Sequence, residues 1–163
     1  MRTLLRTLLF LSLAVWVGGE IFFPFVAAVT FTTLSPDTHS AGTIVGHLLR
    51  ILHETGLGAG LLALAVLAVL RGLGVYKKAI TLVPISLLVL MLVLTAYAQF
   101  TIIPAMEQDR IACGGAIDRA DFTASCRVDF ERLHHRSESV EGLILLLGLF
   151  TIVSVARAES AKN

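Results

Sequence analysis

Two histidines, an arginine and a glutamate lie together at the head of an otherwise apolar segment. A helix would place His47, Arg50 and Glu54 on one face, whereas His53 would point elsewhere. The uncharged run Gly56–Leu70 that follows is shorter than the about 20 residues that cross a bilayer core. The membrane span must therefore include part of the polar stretch. Ionisable groups at such a depth cost free energy and usually mark function.

Other apolar segments bring further carboxylates to the same depth. Counting about 20 residues from the basic residues at the opposite end places Glu20, Glu54 and Glu141 in the outer third of the membrane. Tyr97 and Gln99 lie at a similar depth, and all five histidines fall on this side. The candidate ligands are therefore Glu20, His47, His53, Glu54, His134, Glu138 and Glu141.

These residue types suggest a metal site. Carboxylates and imidazoles that converge from facing helices are common metal ligands in helical bundles. His134, Glu138 and Glu141 would form one stripe on the last helix. Oxygen and nitrogen ligands without a membrane-embedded thiolate suit a transition metal such as Cu, Zn, Fe or Mn. Paired histidines such as His53 and His134 could instead hold haem.

Two other interpretations of the cluster remain open. Arg50 can pair with Glu54 one turn later or with Glu20 on another helix, which would make it a structural ion-pair network or a water-filled vestibule. The groups could also belong to a proton or ion path, although the inner half shows no buried ionisable group. Phosphate-loop, CxxC, zincin and nucleophile-elbow motifs are absent from the sequence, so it gives no reason to predict an enzyme.

The composition predicts a membrane protein. Hydrophobic residues make up 56% of the 163 residues and charged residues 15%, against about 25% charged in soluble domains. Four long apolar segments predict an all-α, up-down-up-down four-helix transmembrane bundle that forms a single domain over residues 1–163. The predicted helices cover about residues 4–29, 43–70, 79–100 and 137–156, with a polar loop over 105–136. A net charge of +1 gives no reason to expect a nucleic-acid partner.

Basic residues predict the orientation. Lys and Arg concentrate near both termini and in the loop 71–78, which predicts cytoplasmic termini and an external loop 105–136. The first apolar run, Leu8–Val29, is longer than the about 7–15 residues of a signal-peptide core, so we expect a retained helix. In a bacterial inner membrane, Cys113 and Cys126 would face the oxidising periplasm and could form a disulfide. Two free cysteines are the alternative.

Small residues favour close helix packing at two places. We predict a packing motif in the first two helices, because residues without bulky side chains let neighbouring helices approach. Pro24 should kink the first helix, and Pro104 should end or bend the third. The packing residues are Trp16, Gly18, Gly19, Gly56 and Gly60.

Several of these residues, in this order, resemble a known membrane family. Trp16–Gly19 with Phe22–Phe23, Pro104, and Phe130–Ser137 resemble the four-helix proteins similar to transmembrane protein 205, whose bacterial members carry a domain of unknown function. That resemblance implies a four-helix membrane bundle. The Trp-x-Gly-Gly pattern also resembles the copper-resistance D-type membrane proteins, which implies metal handling. The loop with Cys113 and Cys126 lies outside both patterns.

Three functions follow as hypotheses. The first is an integral membrane protein whose outward-facing histidine and glutamate cluster binds or handles a metal such as copper. The second is a non-catalytic accessory subunit, whose glycine faces dock other membrane subunits or a second copy in the lipid bilayer. The third is a proton- or ion-coupled transporter.

Overall fold

Four long helices build the protein. The computed structural model describes residues 1–77 and 79–160, and that part of the chain contains no strand. Each of the four helices is long and apolar enough to cross a membrane, the third being continuous over Leu82–Ala112. This confirms the all-α four-helix membrane bundle. The elements are α1 (Arg2–Thr33), α2 (Thr38–Gly72), α3 (Leu82–Tyr97), a π-helical turn (Ala98–Ile102), α4 (Ile103–Ala112), a 3₁₀ helix (Ile117–Arg119) and α5 (Ser125–Ser160).

The helices form a closed ring with alternating direction. Helix α1 packs most extensively on α2 and α3 on α5, while α2 also contacts α3 and α1 contacts α5. Apolar side chains that are fully buried fill the interior, and large apolar side chains on the outside contact lipid in an integral membrane protein. The interior includes Leu9, Leu13, Leu67, Leu70, Leu88, Met91, Ile144 and Val155.

The helices extend further than the sequence predicted. Helix α1 continues through Pro24 to Thr33. Helix α2 begins at Thr38, because the Asp37 side chain accepts a hydrogen bond from the backbone N–H of Ser40 at 3.0 Å and caps the first turn. The hydroxyl and the backbone N–H of Ser40 together hold the pKa of Asp37 below its usual range.

Most of the predicted polar loop is helical. Pro104 does not end the third helix, because it lies in the first turn of α4, directly after the π-helical turn. Helix α5 already begins at Ser125. The connection between α4 and α5 is therefore short. It is closed by the predicted disulfide between Cys113 and Cys126, whose Cα atoms are 5.7 Å apart. We call residues 113–126 the cap.

Three of the glycines in the predicted packing motif lie against a side chain of another helix. The indole of Trp16 lies against Gly56 and Gly60 of α2, so that a Cβ built on Gly56 would lie 2.5 Å from the indole nitrogen. A Cβ on Gly19 would lie 2.7 Å from Leu52 Cδ1. Gly18 is different, because a Cβ there has no neighbour within 4 Å.

An ionisable cluster at the end of the bundle opposite the cap was missed. The guanidinium of Arg6 lies 3.2 Å from the carboxylate of Glu159, and the buried Tyr76 hydroxyl donates a hydrogen bond to the other oxygen of Glu159 at 2.7 Å. The sequence placed no buried ionisable group in this half. This cluster ties the beginning of α1 and the end of α5 to the connection between α2 and α3.

Candidate functional site

One buried imidazole connects three of the long helices. His53 of α2 is fully buried, and its Nε2 lies 2.7 Å from Oε1 of Glu141 on α5. Its Nδ1 lies 3.1 Å from the side-chain oxygen of Gln99 in the π-helical turn. Both ring nitrogens thus face an oxygen atom. An imidazolium paired with the Glu141 carboxylate would donate both hydrogen bonds.

A second carboxylate adjoins this pair from α1. Glu20 is only 4% exposed and lies close enough to Glu141 and His53 to interact electrostatically with both. The indole N–H of Trp16 is also beside Glu20, although outside hydrogen-bonding geometry. We call Glu20, His53, Gln99 and Glu141 the acid–histidine cluster.

Two carboxylate oxygens of the cluster are buried without a partner. Glu20 Oε1 and Glu141 Oε2 accept no hydrogen bond from any described residue. Buried carboxylate oxygens are normally hydrogen-bonded or paired, because removing them from water is costly. The cluster therefore contains two buried acceptor atoms that a hydrogen-bond donor or a cation would stabilise.

A large cavity leads to the acid–histidine cluster. Its volume is about 990 Å³, and Glu20 and Glu141 both line it. Helices α1, α2, α4 and α5 contribute its walls, which are mainly apolar close to Glu20. Six carboxylates but only three arginines line it, so the surface favours a positively charged occupant. The carboxylates are those of Glu20, Glu107, Asp118, Glu131, Glu138 and Glu141.

The cap covers one side of this cavity. Ile117 and Asp118, in the 3₁₀ helix of the cap, line the cavity. The hydroxyl of Thr38, the first residue of α2, donates a 3.0 Å hydrogen bond to Asp118. Arg127 donates a 2.9 Å hydrogen bond to the backbone oxygen of Ala120. The disulfide and these two contacts hold the cap over the bundle.

The predicted ligands divide into two groups. Glu20, His53 and Glu141 converge in the acid–histidine cluster, as described above. His47 is exposed, with Nδ1 2.8 Å from the Thr43 carbonyl oxygen, and lines the cavity rim. His134 and Glu138 are also exposed at the rim, where they form their own contact at 3.3 Å.

Glu54 lies outside the cavity. It is exposed and lines a separate cleft of about 410 Å³ together with Arg50 and Glu107. Neither Glu54 nor Glu20 forms an ion pair with Arg50 in the described ranges, so the ion-pair network predicted around this arginine does not form.

The seven predicted ligands do not make one metal centre. Over residues 1–77 and 79–160, no three His, Cys, Asp or Glu side chains are arranged to hold a metal ion. The haem pair also fails to form. Both nitrogens of His53 are engaged, while the exposed His134 ring stacks on Phe130 with a centroid distance of 6.2 Å.

Gln99 is the member of the acid–histidine cluster that the candidate set omitted. The sequence indicated its depth but gave no reason to direct its side chain at His53. The π-helical turn Ala98–Ile102 changes the register of the third long helix at this point. Such turns are rare and often occur at functional sites. A polar residue between apolar ones, five residues before Pro104, was the only sequence signal.

One comparison places the chain among known sequences. A family model described as a domain of unknown function (DUF4149) matches residues 11–110. The matched range includes Glu20, His53 and Gln99 but ends before Glu141. No curated protein and no solved structure matches the chain. The match supports a domain of unknown function, whereas no named relative supports the likeness to transmembrane protein 205 or to the copper-resistance proteins.

Proposed function

Because the chain belongs to the family with the domain of unknown function DUF4149, which names no activity, we propose its function from the cavity itself. The protein binds a cationic ligand that enters from the capped end. The observation that carries this proposal is that Glu20 and Glu141, two carboxylates that line a cavity of ligand size, each have a buried oxygen without a hydrogen-bond partner.

The charge balance of the acid–histidine cluster supports a cation. When both are ionised, Glu20 and Glu141 carry two negative charges, against one positive charge on a protonated His53. Ionised groups within a membrane are normally paired, because their desolvation is costly. A bound ammonium or similar cation beside the two free oxygens would complete the pairing. It would also supply the hydrogen-bond donors that these oxygens lack.

Two features support a cavity that faces away from the cytoplasm. The disulfide Cys113–Cys126 lies in the cap, and disulfides persist mainly in oxidising compartments. At the opposite end of the bundle lie Arg2, Lys77 and Arg157, in keeping with the enrichment of basic residues on the cytoplasmic side. In a bacterium, the ligand would therefore reach the protein from the periplasmic side of the inner membrane.

The packing beyond the acid–histidine cluster favours binding over passage. Trp16 lies next to Glu20, and the fully buried Leu13, Leu67 and Met91 belong to the same apolar core. A path for ions through the membrane would need polar groups along its whole length. We therefore place the protein among binding or sensing membrane proteins, ahead of the transporter hypothesis.

A metal ion is the second candidate. The free oxygens of Glu20 and Glu141 are suitable ligands for a divalent cation. A third protein ligand would have to be His53, which would first have to give up its 2.7 Å contact with Glu141. An organic cation leaves the contact between His53 and Glu141 in place, so it is the better fit to this geometry.

Thermal unfolding in lipid nanodiscs tests the proposal. We expect n-butylammonium chloride to raise the unfolding temperature of the wild type in a saturable manner, because a ligand that binds the folded state stabilises it. Glu20→Gln should abolish this shift. The matched control is Glu54→Gln, which removes an exposed carboxylate that lies outside the cavity and should retain the shift.

Two results would contradict the organic-cation assignment. Equal shifts in Glu20→Gln and the wild type would show that the acid–histidine cluster is not the binding site. A stoichiometric, Glu20-dependent shift with ZnCl₂ or CuCl₂ but none with n-butylammonium would establish the metal candidate instead.

A further inference from the structure

The shape of the cavity indicates which class of cation fits into it. We infer that the cation is the head group of a single-chain amphipathic amine, whose alkyl chain lies along the apolar wall of the cavity. This inference rests on the proposed cation site at Glu20 and Glu141 and adds what occupies the rest of the space.

Helix α1 provides an apolar track that starts next to the carboxylate. Phe23, Ala27 and Phe31 are spaced four residues apart, so they lie on one face of the helix, and all three line the cavity. From Phe23 to Phe31 this track is about 12 Å long. It begins less than one turn beyond Glu20. A chain attached to an ammonium group at Glu20 would therefore run directly along it.

The facing walls leave room for such a chain. Gly42 and Gly46 of α2 and Gly142 of α5 line the cavity, and a Cβ built on any of them would have no neighbour within 4 Å. These glycines therefore do not serve helix contacts, unlike Gly56 and Gly60, where a Cβ would collide with Trp16. Open space at three glycines widens the cavity beside the apolar track.

The arginines at the rim do not favour an anionic lipid or fatty acid. The guanidinium of Arg110 lies 2.7 Å from the carboxylate of Glu107, and that of Arg127 lies 3.0 Å from Glu131. Two of the three arginines that line the cavity are thus already paired. The unpaired oxygen atoms of the buried carboxylates should attract a ligand more strongly than these arginines do. They therefore favour a positively charged head group.

A chain-length series tests the inference in nanodiscs. Affinities would be measured for n-butyl-, n-octyl- and n-dodecylammonium, with n-octyl sulfate as an anion of equal chain length. Along the track we expect affinity to rise by up to about fourfold for each methylene, equivalent to about 0.8 kcal/mol. The gain should stop once the chain is longer than the track. Octyl sulfate should show no saturable binding.

A substitution that fills the cavity separates the two proposals. Gly46→Leu should remove the dependence on chain length while n-butylammonium still binds, because the new side chain occupies the space beside the track. Gly142→Leu offers the same test from α5. Gly58→Leu is the matched control, since Gly58 is on α2, has no neighbour within 4 Å and does not line the cavity.

The outcomes are distinct. Octyl- and butylammonium that bind equally, with both affinities lost in Glu20→Gln, would overturn the amphipathic ligand and leave the cation site intact. The absence of Glu20-dependent binding for every amine would overturn both. An unchanged chain-length dependence in folded Gly46→Leu and Gly142→Leu would show that the chain lies elsewhere.

Discussion

The Nε2 atom of His53 lies 2.7 Å from Oε1 of Glu141, although 88 residues separate them in sequence. This contact joins α2 to α5 inside the bundle. The second oxygen of Glu141 is buried without a hydrogen-bond partner. The contact thus holds two helices together and positions a carboxylate in the lining of the cavity.

Removing one partner of this pair should be costly. Because His53→Leu leaves the Glu141 carboxylate buried without its partner, we expect a loss of about 3–5 kcal/mol in the free energy of unfolding. The double variant His53→Leu/Glu141→Leu should regain part of that loss. Glu54→Leu, at an exposed neighbouring position, should change stability by less than about 0.5 kcal/mol.

Unfolding of the purified variants in mild detergent measures these effects. Strictly additive losses in the double variant would contradict a direct interaction between His53 and Glu141. A large loss of stability in Glu54→Leu would show that this residue contributes to folding through interactions other than the contacts described above.

A methyl group on Gly60 should disturb the packing of Trp16. The Cβ of Gly60→Ala would collide with the six-membered ring of the buried indole, so we expect a loss of about 1–3 kcal/mol in stability. Gly58→Ala is the matched control. It adds the same atom two residues away in open space and should stabilise the helix by about 0.5–1 kcal/mol.

Thermal unfolding of both variants checks this prediction. An increase in stability for Gly60→Ala would mean that the Trp16 ring can move away from α2 without cost. The same variant should also weaken ligand binding, because Trp16 adjoins Glu20.

The amino-acid pattern predicted the number of spans and the disulfide. These features depend on local composition, because about 20 apolar residues are required to cross a membrane wherever they occur. Three of the seven candidate ligands, Glu20, His53 and Glu141, lie together. The rotation of α2 about its axis places Glu54 outside the cavity, whereas His47, His134 and Glu138 lie further along their helices at the rim.

The sequence could not predict that rotation. It depends on which faces pack together, for example where Trp16 fits over Gly56 and Gly60. It also depends on the π-helical turn, which changes the register of the third helix and brings Gln99 to His53. Neither effect has a periodic signal in the apolar segments, so the spans were predictable and the convergence of side chains was not.

Loss of the disulfide should loosen the cap. Closing a loop of this length restricts the unfolded chain and contributes about 3 kcal/mol. Replacing both Cys113 and Cys126 by serine should therefore increase hydrogen exchange in the cap, with little change around the fully buried Leu13 and Leu67. Reduction of the wild type should produce the same exchange pattern. Uniformly faster exchange in all helices would show instead that the disulfide stabilises the entire bundle.

The Tyr76 cluster should make stability depend on alkaline pH. Burial, followed by the hydrogen bond to Glu159, raises the pKa of Tyr76 above its ordinary value. The folded protein therefore keeps this proton where the unfolded chain, with a tyrosine pKa of about 10, would lose it. The contribution of Tyr76 to the free energy of unfolding should therefore be complete below about pH 10, and it should decrease as the pH rises further.

Tyr76→Phe should remove the part of the alkaline loss of stability that comes from this side chain. At neutral pH it should also cost about 1.5–3 kcal/mol, because Glu159 loses a hydrogen bond from the buried hydroxyl. Tyr97→Phe is the matched control, since the Tyr97 ring lies under the Arg136 guanidinium at 5.3 Å, at the other end of the bundle. Unfolding temperatures would be measured from pH 7 to above pH 10. The same pH dependence in both variants would contradict the role assigned to Tyr76.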